Sequence, residues 1–147
     1  MKGERTEKAA KLFTEGRNCA QAVLGGFCEP LGLAPSDAAR LATGLGGGMG
    51  RMGGTCGAVT GAILTLGLAH GGADPLDRDA RGKCYAQVQE FAKRFTARNG
   101  STACRDLLGC DISTAEGFEE AKRRGVLDTV CRKAVRDAAE ILEEMGV

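Results

Sequence analysis

Thr55-Cys56-Gly57-Ala58-Val59-Thr60-Gly61-Ala62-Ile63-Leu64-Thr65-Leu66-Gly67-Leu68 carries no charged residue. Gly57 and Gly61, with their neighbours Ala58 and Ala62, recur four apart, so one face of a helix here is small enough for a second helix to approach closely. The stretch predicts a central buried helix. A glycine-rich run, Gly44-Leu45-Gly46-Gly47-Gly48-Met49-Gly50-Arg51-Met52-Gly53-Gly54, leads into it. Cys56 therefore stands at a helix start, where unpaired N–H groups and the positive end of the helix dipole favour a thiolate over a thiol.

Outward from this segment the periodicity stays helical. Glu4 to Glu15 reads as an amphipathic helix with Ala9, Leu12 and Phe13 inward and Gly16 ending it. Asn18 is placed to cap a second helix from Cys19 to about Phe27, although one continuous bent helix is an alternative. Pro35-Ser36-Asp37 starts a short helix through Ala42. Asp74-Pro75 reads as a cap with proline at the first helical position, followed by a long helix with Leu76, Ala80, Cys84, Val88, Phe91 and Phe95 on one face. Ser101 to Leu108 predicts a short helix closed by Gly109, and Ser113 to Glu116 a capping box for a helix ending near Gly125. The last stripe is the clearest: Leu127, Cys131, Ala134, Val135, Ala138, Ile141, Leu142 and Met145. Nothing alternates as a strand would. The expectation is an all-α single domain over residues 1–147, a bundle of about six to seven helices with the glycine-rich loop leading into the central buried one.

Composition narrows the function. Lysine and arginine total 20 against 19 acidic residues, so a net charge of +1 gives no footprint for nucleic acid or an anionic membrane surface. The amino terminus lacks the apolar core of a secretory signal, and the apolar run Ala58 to Ala69 is too short to cross a bilayer. A cytoplasmic location and no membrane association are expected. Seven cysteines in a reducing compartment are packing residues, metal ligands or redox groups more often than disulfides. No C-x-x-C occurs, which removes the thioredoxin motif, the usual zinc knuckles and covalent haem attachment.

Cys19, Cys56 and Cys104 each fall within the predicted first turn of a helix and share the acidifying environment expected there. Cys131 lies on an apolar stripe, where spacing alone favours packing. Cys28 and Cys84 gain no role, and Cys110 is a secondary candidate through its closeness in sequence to Cys104. Gly48-Met49-Gly50-Arg51-Met52-Gly53 fits G-x-G-x-x-G, but no strand precedes it, so the dinucleotide reading is weak; no phosphate-loop lysine follows either. The glycines can instead let backbone N–H groups around Cys56, those of Gly54, Thr55 and Gly57, approach a thiolate, sulfide or oxyanion. Arg51 reads as solvated. His70, the one histidine, stands at the far end of the Cys56 helix, about 20 Å away if both are helical, which disfavours a Cys–His catalytic pair.

Gly16-Arg17-Asn18-Cys19-Ala20-Gln21-Ala22-Val23, then Gly53-Gly54-Thr55-Cys56-Gly57-Ala58-Val59-Thr60-Gly61, then Cys104-Arg105-Asp106-Leu107-Leu108-Gly109, and finally Cys131 together resemble the C-GCAxxG-C-C family of redox-active proteins. The central motif reads Cys56-Gly57-Ala58-x-x-Gly61, a different letter order from the family label. The resemblance implies that Cys19, Cys56, Cys104 and Cys131 are the family's four cysteines and act in redox chemistry, which gives Cys131 a role that its spacing did not. Two mechanisms are compatible with it. An acidified Cys56 attacks a disulfide and Cys19 or Cys104 resolves it, or the four thiolates hold an iron–sulfur cluster or zinc. A helical interaction protein with packing cysteines is the third reading, and a redox partner and a homodimer are open expectations.

Overall fold

The computed structural model describes residues 2–147. Eight α-helices run along them: α1 Glu4–Thr14, α2 Cys19–Phe27, α3 Pro35–Ala42, α4 Gly57–His70, α5 Arg78–Asn99, α6 Cys104–Leu108, α7 Ala115–Arg124 and α8 Val126–Glu144. That is at least one more helix than the sequence count. Among the described residues there is no strand, only an isolated antiparallel bridge between Thr55 and Ala103.

Local chemistry explains most boundaries. Gly16 has a positive φ, and the chain turns there before Asn18 begins α2 with a full capping box. The Asn18 side chain accepts from the Gln21 N–H while the Gln21 side chain accepts from the Asn18 N–H. Two helices, not one bent helix, result. Three expected starts move by a few residues. Asp77 caps α5 by accepting from the Ala80 N–H at 3.0 Å, whereas Asp74 closes a tighter turn onto the Leu76 N–H. Thr114 rather than Ser113 caps α7, and α6 begins at Cys104 because Ser101 is engaged with the Ala103 N–H outside the helix.

The glycines of α4 set the central crossing. A Cβ at Gly61 would lie 2.7 Å from the Ala20 carbonyl oxygen, and one at Gly57 would lie 3.1 Å from both the Ala20 nitrogen and the Cys19 Cβ. Side chains there would hold α2 and α4 apart. The main core gathers Val23, Phe27, Ala58, Ala62, Leu66, Phe91, Phe95, Val135, Ala138, Ile141 and Leu142 between α1, α2, α4, α5 and α8. A second group, Ala20, Leu24, Cys28, Ala38 and Ala42, lies beneath α3. The third, Cys104, Leu108, Cys110, Ile112 and Ala121, lies beneath α6 and α7. Cys131 on α8 packs against both the main core and this third group. No helix is long and apolar enough to cross a membrane.

Candidate functional site

The glycine-rich loop is wound in an unusual way. Gly47, Gly48, Met49, Gly50 and Arg51 are consecutive and all have positive φ, between 62° and 69°. L-residues with side chains avoid this region, so Met49 and Arg51 are held in it by the hydrogen bonds around them. The N–H groups of Gly50, Gly53 and Gly54 donate back to the carbonyls of Gly44, Gly47 and Gly48. The Gly54 amide is thereby occupied. It is not free for an anion beside Cys56, as the sequence suggested, and Gly57 serves the helix contact just described.

At its end the loop is tied to the α6 segment. Cys56 N–H donates to the Thr102 carbonyl at 2.7 Å, and Cys104 N–H donates to the Gly54 carbonyl at 2.6 Å, on either side of the Thr55–Ala103 bridge. In an antiparallel pair of this register residues two apart share a face, which sets Cys56 and Cys104 on the same side of the ribbon. Gly48 backs this arrangement: a Cβ there would come within 2.7 Å of the Cys104 Cβ.

Cys56 is the N-cap of α4, not a residue of its first turn. The Ala58 and Val59 N–H groups do favour its thiolate, as a helix start should, but burial outweighs them and pushes the thiol up to about 11. Burial, reinforced by Cys56 and Cys131 nearby, raises Cys104 to about 12. Acidification at these helix starts is therefore a wrong expectation. At exposures of 6% and 7%, burial is the largest influence on Cys56 and Cys104, and only Cys56 has helix-start N–H groups opposing it.

The acidified thiol is Cys131. Its titration is lowered by a hydrogen bond from the Cys19 thiol, against the opposing effects of burial and of Asp128. Cys19 is raised well above its ordinary value by the same hydrogen bond and by burial, with further repulsion from Cys131, Cys56 and Cys104. The other three sulfurs are all near enough to influence Cys19. The helical stripe that suggested packing for Cys131 carries no sign of this partnership, because Cys19 comes from the other end of the chain.

The remaining cysteines are distinct. Cys28 is fully buried beneath α3, with its thiol directed to the Gly25 carbonyl at 3.7 Å. Cys84 is half-buried on α5. Cys110 is buried, and the Arg124 guanidinium donates to its sulfur at 3.1 Å. Arg51 is exposed, as expected, and in addition lays its guanidinium over the Phe118 ring at 3.9 Å. His70 closes α4 at the end away from Cys56. All seven cysteines are unpaired, and among the described residues no group of three or more His, Cys, Asp or Glu side chains is arranged to hold a metal ion. Four thiols suit zinc or an iron–sulfur cluster chemically, but these do not form a ready coordination shell.

The fold and site define an all-helical, cysteine-centred domain that draws Cys19 and Cys131 together and ties the Cys56 segment to that of Cys104. A family model described as "Putative redox-active protein (C_GCAxxG_C_C)" matches residues 17–145. The chain belongs to that family. Comparison with curated proteins and with solved structures gave no match. The matched span begins after α1, yet α1 packs on α2 and α8 and buries Ala9 in the main core.

Proposed function

We propose that this domain carries out thiol–disulfide exchange, with Cys131 as the attacking thiolate and Cys19 as the resolving thiol. The observation that carries the reading is the pairing of these two residues: Cys19 is buried in the main core, and Cys131, only partly buried, packs against that core beside it, so that the Cys19 thiol favours the Cys131 thiolate. Exchange requires a thiolate that is available and a second thiol beside it. The Cys131 thiolate attacks one sulfur of a substrate disulfide, forms a mixed disulfide and releases the first substrate thiolate, which takes the Cys19 proton. The Cys19 thiolate then attacks the Cys131 sulfur, closes a Cys19–Cys131 disulfide and releases the second substrate thiolate, which is protonated by water. The substrate gains two electrons and the protein loses two.

Intact-mass analysis after reaction with a small disulfide tests the assignment. Cys19→Ser should accumulate the mixed disulfide on Cys131, and Cys131→Ser should lose the reaction. A full rate in Cys131→Ser would remove Cys131 from the mechanism. Anaerobic purification with iron, acid-labile sulfide and zinc analysis separates this reading from ligation by the four cysteines: stoichiometric metal bound through them would overturn it.

A further inference from the structure

An open cavity of about 720 Å³ lies on the outer side of the glycine-rich loop, lined by Asn18, Thr43, Gly47, Arg51, Met52 and Ser113 among others. Gly47 and Gly50 line the cavity while Gly48 between them abuts Cys104, so one loop borders both the cavity and a cysteine of the cluster. Arg51 is the single formally charged residue of the lining among the described residues. Its guanidinium stacks on Phe118, and no carboxylate, carbonyl or hydroxyl of the described residues accepts from it. Phe118 packs against the apolar group that contains Cys104, and Cys131 packs against the same group.

The other polar groups are committed. Asn18 Nδ2 donates to the Thr43 carbonyl, the Thr43 hydroxyl donates to the Ala39 carbonyl, and the Ser113 hydroxyl donates to Asp111. Asp111, the carboxylate next to the cavity, is itself engaged by Arg105. The loop amides from Met49 to Gly54 all donate to loop carbonyls; the Gly47 amide has no such partner among the described residues. A planar guanidinium with its donors free, beside an uncommitted backbone N–H, is suited to a carboxylate.

We infer that this cavity binds the carboxylate end of a small anionic thiol or disulfide, with Arg51 as its receptor. The inference rests on the exchange reading for its choice of ligand, and it adds the class of substrate.

Two measurements test it, one of them independent of redox chemistry. Amide NMR shifts on titrating the reduced protein with S-methylglutathione, which has carboxylates but no exchangeable sulfur, should be largest at Gly47 and Arg51. Arg51→Gln should weaken that binding about tenfold, with Arg51→Lys intermediate. The ratio of oxidation rates by glutathione disulfide over carboxylate-free cystamine should also fall several-fold in Arg51→Gln. Shifts elsewhere, or an affinity unchanged in Arg51→Gln, would overturn the site. Inorganic phosphate matching S-methylglutathione at these residues would overturn the choice of ligand. Should neither disulfide oxidise the protein, the exchange reading falls, and the NMR titration still decides whether the cavity binds carboxylate.

Discussion

The backbone N–H of Cys104 donates to the carbonyl oxygen of Gly54 across 2.6 Å, and Gly48 is pressed against the Cys104 side chain from behind. Gly48→Ala meets two obstacles at once, a positive φ and a Cβ within 2.6 Å of the Gly54 nitrogen. The substitution should cost roughly 2 kcal/mol or more and loosen the ribbon that holds Cys56 beside Cys104. Urea unfolding reads the stability, and faster amide exchange at Cys104 reads the ribbon. An unchanged midpoint together with unchanged exchange would show that the contact is soft.

Gly61→Ala places a methyl against the Ala20 backbone, which cannot rotate away as a side chain could. The α2–α4 crossing must widen. A loss of about 1–3 kcal/mol is expected in denaturant unfolding. Gly67→Ala on the same helix, where a Cβ meets nothing within 4 Å, should instead be neutral or slightly stabilising.

The alkylation rate of Cys131 against pH should have its midpoint below the ordinary thiol value of 9.0. Cys19→Ala removes the donor that favours the thiolate, so the midpoint should move upward and the rate at neutral pH should fall. Peptide mapping of iodoacetamide adducts separates Cys131 from the other thiols. A midpoint unmoved by Cys19→Ala would break the link between the two residues.

Stability should fall on the alkaline side. In the unfolded chain a thiol releases its proton near 9.0, whereas folded Cys56 keeps its proton to about 11. Between those values the unfolded state binds fewer protons than the folded one, so rising pH favours unfolding, by up to about 1.4 kcal/mol per unit for each such thiol. The contribution of Cys56 is complete below 9.0 and lost as pH rises toward about 11. Denaturant midpoints measured across this window should decline, less steeply in Cys56→Ala. A decline of equal slope in the variant would assign the effect elsewhere.

The helices and their packing faces were legible because they depend on neighbours in sequence. The stripe from Leu127 to Met145 became α8, and the four-residue spacing of Gly57 and Gly61 became the contact with α2. Asn18 capped its helix as a capping residue should. The chemistry of the site was less legible. A helix start lowers a thiol only where burial does not outweigh it, and nothing around Thr55-Cys56-Gly57 announces how deeply Cys56 is enclosed. The acidification of Cys131 depends on Cys19, which is brought to it by the packing of α2 on α8. The stacking of Arg51 on Phe118 has the same character, since the two come from separate parts of the chain.

Cys19 and Cys131 stand near opposite ends of the sequence, with about 110 residues between them. A bond between their sulfurs would close nearly the entire domain into one covalent ring. In the loop-closure account a ring of that size disfavours the unfolded chain by roughly 4–5 kcal/mol. Oxidation would then act as a staple on the whole fold, and any strengthening of the folded state by the staple would make the disulfide correspondingly harder to reduce. The reduction potential of the pair and the melting of the domain would be one free energy, read once with electrons and once with heat.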